Sequence, residues 1–347
     1  MMRKLPLLVV VASLFLIGTL WMVACEDKIN PVSPKWKIWK KGDIVPGYIL
    51  TNPSGSRANV EAKALMWDNY WALELAVDLN TGNQDDNIFT LGEDLVFALY
   101  ISDGSDSIWN GDHLIHLVWM EDLYAWPSTS PDTVDVFDLA MLNAEIHPDL
   151  DSPTIDGHGD DDIWIVLTDI TWETKLEISG VSGDNRLREA YIIAVHDSSK
   201  LYFKLAWPDP TSTMSMEKDL WHFDGHTIWN QEGEEDIVMF LFPMDEAPTD
   251  WETLGGATFF PQEGPDNGAV NIWMWAAGRT NPLGYADDLL ATASELEEDQ
   301  GGSGYSENYD PAKSYPPFVQ DPSVEPTAGS KVLLESEAIP FEETIRP

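Results

Sequence analysis

Residues 71–79 alternate without a break. Trp71, Leu73, Leu75, Val77 and Leu79 take one side of the pattern, and Ala72, Glu74, Ala76 and Asp78 take the other. A period of two is the side-chain repeat of a pleated strand with one buried face. A helix cannot use it, because helical apolar positions recur every three or four residues. Asn80-Thr81-Gly82-Asn83 follows as a turn. Residues 95–101 form a continuous apolar run ended by Asp103-Gly104, which specifies a strand covered on both faces. Residues 163–167, 191–195, 201–205 and 237–242 read as further strands. Val270, Ile272 and Met274 should face one way in a strand that turns Trp273 and Trp275 the other way. Long helical periodicity is nearly absent, and residues 134–143 are expected as a short helix. Many short strands between Gly, Pro and Asp turns specify an all-β chain, an antiparallel β-sandwich of immunoglobulin-like or carbohydrate-binding-module-like type with few short helices. Residues 128–153 are rich in Pro, Asp and Ser and are expected as a connection. Residues 295–326 are expected as a long polar excursion.

The N-terminus carries a separate instruction. Arg3 and Lys4 precede the apolar residues 7–20, and Met22-Val23-Ala24 leads into Cys25, the single cysteine. This is the pattern of a bacterial secretion signal. The placement of Cys25 resembles a lipobox, with Met22 where such boxes usually carry Leu. Residues 1–24 are therefore expected as a lipoprotein signal peptide and residues 25–34 as a tether. Lipid on Cys25 would be the membrane attachment of a periplasm-facing or surface envelope protein. A lipidated Cys25 leaves no thiol for a disulfide, a Cys-zinc site, a nucleophile or a covalent c-type haem. The 347 residues carry 60 acids against 19 bases, a net charge of −41. Such a surface repels nucleic acid and anionic headgroups. Solubility in a salty medium explains it better than an acidic docking face.

Several motifs together resemble one family. Ile155-Asp156-Gly157, Asp160-Asp161-Asp162-Ile163-Trp164 and the run from Leu201 through Trp207-Pro208-Asp209-Pro210-Thr211 are similar to the opening of the ethylbenzene-dehydrogenase-related haem-binding domain, the cytochrome c-552/DMSO-reductase-like haem domain. Glu235-Asp236-Ile237-Val238, Asn271-Ile272-Trp273-Met274-Trp275-Ala276-Ala277-Gly278-Arg279 and Gly284-Tyr285-Ala286-Asp287-Asp288 continue the likeness. Val45-Pro46-Gly47-Tyr48, Ser54-Gly55-Ser56-Arg57 and residues 67–82 extend it to the N-terminal side. In the family the Val-Pro-Gly-Tyr segment comes after the others, whereas here it comes first. Residues 332–341 resemble what normally runs into the segment near Trp36. This order implies one circularly permuted domain, residues 35–347, with halves 35–127 and 154–347. Residues near Phe341 should then lie close to residues near Trp39.

The resemblance implies a β-sandwich that holds haem and passes electrons to a redox partner the sequence does not name. Many relatives carry Cys-x-x-Cys-His between the Asp-Ile-Val and Trp-x-Trp strands. Residues 255–261 here contain neither Cys nor His. Other relatives bind haem b through Met and Lys, and the Trp-x-Trp motif often continues into Lys-Ala, but Ala276-Ala277 follow it here. Covalent haem is thus excluded, and noncovalent haem b remains. Axial ligands are commonly His, Met or Lys. The candidates are Met274, Met214, Met216, His222 and His226. His222 and His226 would align only on a helix, and Asp224-Gly225 between them argues for a turn. His113 and His116 would point to opposite faces of a strand. Met274 also suits core packing.

Asp156, Asp160 and Asp162 are candidate calcium ligands, and so are Asp85 and Asp86 after Asn83. Turn formation and strand capping are their plainer roles. Nucleophile-elbow, Walker, zincin and dinucleotide motifs are all absent, so no enzyme is expected. The chain reads as an envelope lipoprotein with a haem-type β-sandwich. The alternative is a haemless module that binds carbohydrate or a partner protein.

Overall fold

The computed structural model describes residues 37–67, 70–93, 95–103, 108–119, 140–145, 151–169, 174–179, 187–197, 199–208, 219–226, 228–233, 235–244, 269–292, 296–298, 300–329 and 331–344. Cys25 and the expected signal and tether lie outside them. So do Met214 and Met216. Among the described residues no helix is long and apolar enough to cross a membrane.

Along the chain the strands are β1 (Ile44–Val45), β2 (Tyr48–Leu50), β3 (Val60–Trp67), β4 (Tyr70–Asp78), β5 (Leu95–Asp103), β6 (Ile108–Trp119) and β7 (Ala140–Glu145). A helix, α1 (Asp162–Asp169), precedes β8 (Thr174–Ser179), β9 (Leu187–His196), β10 (Lys200–Pro208), β11 (Leu220–Phe223) and β12 (Trp229–Glu232). The chain then runs through β13 (Asp236–Pro243), β14 (Ala269–Ala276) and β15 (Tyr285–Thr292). Four short strands follow: β16 (Leu296–Glu298), β17 (Tyr305–Glu307), β18 (Phe318–Gln320) and β19 (Ala338–Pro340).

The large sheet runs β10-β4-β3-β15-β14-β13-β5-β6-β7-β9-β8, with β16 paired to β15. β10 pairs with β4 on one side and β9 on the other, so the sheet curls until its ends meet. Most pairings are antiparallel, as the short turns require. Two are not. β7 lies parallel to both β6 and β9. This corrects the expected helix at residues 134–143: residues 140–143 are strand, and 134–139 lie outside the described residues. A short apolar run is ambiguous between the two states until its neighbours are known, and the slot between β6 and β9 demands a strand. The connection expected at 128–153 therefore contributes β7 to the sheet.

The inward faces share one core. Trp71, Leu73, Leu75, Val77 and Leu79 of the alternating segment lie in it with Phe97, Phe203, Phe240, Phe242, Trp273 and Trp275. Each such side chain stabilises the fold by roughly 1.5–3 kcal/mol through removal from water. Val270, Ile272 and Met274 turn to the opposite face and join Met239, Leu241, Leu289 and Ala291 in a second cluster, as the parity of β14 requires. The third cluster lies over β4, β9 and β10. There Ile163 and Trp164 of α1 pack on Ala76, Ile193, Val195 and Tyr202. The strand expected at residues 163–167 is thus the first part of α1. Its run of apolar side chains can dock by one helical face, leaving Ile165 exposed. β4 is consequently covered on both faces.

A smaller sheet, β1-β11-β12, stands beside the large one. Trp39, Trp229 and Phe341 meet there, with the Trp39 and Phe341 ring centroids 5.6 Å apart. Strands from both sides of residues 128–153 share the large sheet.

The turn that joins β9 to β10 holds the closing pair of strands. Asp197 Oδ1 accepts from the Ser199 and Lys200 amides at 2.7 Å and from the Ser199 hydroxyl at 2.8 Å, and Oδ2 accepts from Tyr202 Oη at 2.9 Å. Desolvation raises the affinity of this carboxyl for a proton, but the hydrogen bonds from Ser199, Lys200 and Tyr202 outweigh it and hold the group well below the usual carboxylate range. A depressed folded-state value stabilises the fold above the unfolded value and is lost as pH falls through the folded one. Asp197→Asn is expected to destabilise by up to ~1 kcal/mol at pH 7, given solvent screening at this partly exposed site. The gap to wild type should shrink below about pH 4. Urea midpoints measured across pH 2–7 check this, and a gap that is constant with pH would contradict it.

Candidate functional site

The Asp-rich motif that opens at Ile155 is bound to the sheet by one carboxylate. Glu74 sits in mid-β4, fully buried. Its Oε2 accepts from the amides of Gly157 at 2.6 Å and Asp156 at 3.1 Å. Its Oε1 accepts from the Gly159 amide at 3.2 Å and Trp164 Nε1 at 2.8 Å. Burial pushes the Glu74 carboxyl up, against the pull of these donors. Lys204, opposite Glu74 on β10, donates from Nζ to the Gly159 carbonyl at 2.9 Å. Gly157 has φ +82°, and a Cβ there would stand 2.9 Å from the Ala64 carbonyl carbon and the Leu65 nitrogen. Only glycine lets the loop lie this close to β3. Glu74 was hidden in the sequence by its place in a regular alternation, where it reads as a solvent-facing residue.

That account places the calcium candidates. Asp156 is exposed and accepts from the His158 amide at 2.8 Å, which closes its own turn. Asp160 is exposed beside it, and Asp162 heads α1. Asp161 accepts from the Thr154 amide at 3.0 Å. Asp156, Asp160 and Asp162 do not converge: among the described residues no three His, Cys, Asp or Glu side chains are grouped to hold a metal.

The haem candidates among the described residues, Met274, His222 and His226, do not meet at one place. Met274 is packed in the outer cluster with Met239 and Leu289. His222 lies in β11, half-buried, with Nε2 4.0 Å from a Glu232 carboxylate oxygen. His226 is exposed in the turn to β12, where Asp224 accepts its amide at 2.7 Å. The Asp224-Gly225 turn is as the sequence indicates. His113 and His116 fall in β6.

Other motif residues meet in a buried polar network. Arg57 forms a two-point ion pair with Asp287, at 2.8 and 2.5 Å. Tyr305 Oη donates to the same carboxylate at 2.7 Å. Arg279 pairs with the fully buried Glu235, and the Gly278 amide donates to Glu235 at 2.9 Å. The Arg279 guanidinium lies 5.4 Å from the Tyr48 ring centre and 5.1 Å from that of Tyr305. Burial pushes the Tyr48 hydroxyl up to about 12 despite the nearby cation. Val-Pro-Gly-Tyr, Ser-Arg, Glu-Asp-Ile-Val, Gly-Arg and Tyr-Ala-Asp-Asp are thus one assembly that joins the segments of the chain.

The sequence profile of the family described as Ethylbenzene dehydrogenase matches residues 12–113 and 161–347. The chain belongs to the ethylbenzene dehydrogenase family. Searches among curated proteins and among solved structures find no match. For this family member, the chain's own residues test the haem that the likeness implies. At one end of the sheet Trp71 and Trp275 lie 5.2 Å apart by ring centres, and Trp207 lies 6.0 Å from Trp71 and 5.8 Å from Trp275. Trp71 Nε1 donates to Asp236 at 3.0 Å. Trp207 Nε1 is buried with no acceptor. β10 ends here at Pro208 and β14 at Ala276. Ala276 supplies no ligand there, and the orphaned Trp207 N–H is a buried polar group at this end, among the described residues, that a bound haem would satisfy.

At the opposite end the turn after β4 lines a cleft of about 580 Å³ with Asn80, Asn83, Gln84, Asp86, Asn87 and Met244. Beneath it Asn271 and Asp288 are buried on strands β14 and β15. Parity could have exposed both: Asn271 shares the inward side of β14 with Trp273 and Trp275, and Asp288 shares that of β15 with Ala286.

Proposed function

We propose that this chain is an electron-transfer module of the bacterial envelope that holds noncovalent haem b at the tryptophan end of its curled sheet. Family membership supports a haem-related role. What supports the location is the meeting of Trp207, the last ring of β10, with Trp275 of the Trp-x-Trp strand. When bound, the haem supplies one-electron exchange between ferric and ferrous iron. Met214 or Met216 would offer a thioether to it. The indole N–H of Trp207 would gain the acceptor it lacks in the protein alone. The three indoles would keep water from that side and lower the local dielectric. The role is that of a carrier, consistent with a sequence that has no catalytic motif, and lipid on Cys25 would keep it at the membrane surface.

Titration of the purified chain with hemin tests this. A saturable Soret band at one haem per chain, shifting on dithionite reduction and lost in Met214→Ala/Met216→Ala, is the expected result. An unsaturable band would remove the haem reading.

The cleft at the other end favours a second reading, a haemless carbohydrate-binding module. Carboxamides and a carboxylate are the groups that bind sugar hydroxyls, and the cleft is of ligand size. A glycan that binds by calorimetry to a chain that takes up no hemin would select it.

A further inference from the structure

We propose that the turn at residues 80–88, with Asn271 and Asp288 beneath it, binds a calcium ion. The turn is held from inside by one oxygen. Asp86 Oδ2 accepts from the Thr81 hydroxyl, from Asn83 Nδ2 at 3.1 Å and from Asn59 Nδ2 at 2.8 Å. All three donors are neutral. Asp86 is only 6% exposed, and its other oxygen is buried without a partner. A buried carboxylate met by no cation is costly, and a buried polar atom with no hydrogen bond is uncommon in a native protein.

A second, independent orphan lies on a different strand. Asn271 is fully buried, and its Oδ1 has no partner. Its Nδ2 reaches Asp288 Oδ1 at 2.5 Å and the Asp85 carbonyl at 3.5 Å. The Asn271 carboxamide, the Asp288 carboxylate and the Asp85 carbonyl therefore adjoin. Asn87, 8% exposed, adds a buried carboxamide nitrogen with no partner, and turning that amide presents its oxygen instead. Two carboxylates, two carboxamides and a carbonyl from the turn, β14 and β15 make a set of hard oxygens. Calcium accepts six to eight such ligands in irregular geometry, whereas magnesium demands a near-ideal octahedron and keeps its waters. Waters alone would satisfy the orphaned atoms but not the buried charge of Asp86.

The ion would brace the loop that closes this end of the sheet. Phe89 follows directly, packs its ring on Phe242 and Trp273, and donates its amide to the Leu79 carbonyl at 2.8 Å. The same ion would fix the wall of the cleft. The proposal does not depend on haem.

The test is calorimetric titration of CaCl₂ into the chelator-stripped full chain at about 0.15 M salt, where diffuse binding to an acidic surface is screened. The expected result is saturation at one calcium per chain, a raised melting temperature with calcium but not magnesium, and at least a tenfold weakening in Asp86→Asn and in Asn271→Ala. Asp156→Asn, on the exposed motif, should bind as wild type does. Terbium luminescence sensitised by tryptophan and displaced by calcium reads the wild-type site even where a variant fails to fold. Weak multisite binding that is unchanged in Asp86→Asn, or no displaceable terbium emission, would overturn the proposal.

Discussion

Glu74→Leu is expected to lower stability by about 4 kcal/mol, although it places an apolar residue at a buried position of an apolar strand. Four N–H groups converge on this carboxylate, three from the loop at residues 156–159 and one from Trp164. Leucine accepts none of them. Each buried donor left unmade costs about 1–3 kcal/mol, and the loop limits the sum by lifting towards water. The damage should be local first, because the same carboxylate anchors α1 through Trp164. Amide exchange at Gly157 and Gly159 should accelerate more than exchange in β14. Glu74→Gln keeps one acceptor oxygen and should lose roughly half as much. Urea unfolding measures both variants. A loss below about 1 kcal/mol for Glu74→Leu would mean that the carboxylate does not hold the loop.

Trp275→Ala should cost about 3–5 kcal/mol, the range for a large ring deleted from a packed core. Trp275 is fully buried, lies against Trp71 and Trp207, and donates from Nε1 to Asn281 Oδ1 at 3.1 Å. Asn281 also accepts from the Ala64 amide at 2.8 Å, so it stays satisfied and the loss comes from the cavity. The cavity opens at the end proposed for haem. Trp275→Phe, which fills part of the space, should recover most of the stability. If the alanine variant unfolds at the same urea concentration as wild type, the three indoles are not packed as described.

Periodicity made most of the sheet legible. The alternation in residues 71–79, the apolar runs at 95–101, 191–195, 201–205 and 237–242, and the parity of Val270, Ile272, Met274, Trp273 and Trp275 are local properties of a pleated backbone. They survive in β4, β5, β9, β10, β13 and β14 because inward and outward faces alternate along every strand. The family motifs were also legible, since each is contiguous in the chain. Two elements were misjudged where a short apolar run had no period of its own. Residues 163–167 became helix because an outer face of the sheet was free to receive Ile163 and Trp164. Residues 140–143 became strand because two strands left a gap of one.

What the sequence determined by itself was therefore chemistry and parity: an all-β chain, an acidic composition, no thiol beyond Cys25, no Cys-x-x-Cys-His motif, and the family. What the tertiary structure decided was which polar residues are buried and whom they meet. Parity puts Asn271 and Asp288 on inward faces, but Glu74 and Asp86 look unremarkable in the chain, and the partners of all four lie on other strands and loops. Which groups a buried carboxylate meets depends on surfaces brought together by folding, and those partners, distant in sequence, are invisible to any local pattern. The same holds for the three tryptophans, which become one packed cluster only because the sheet curls β10, β4 and β14 to the same end.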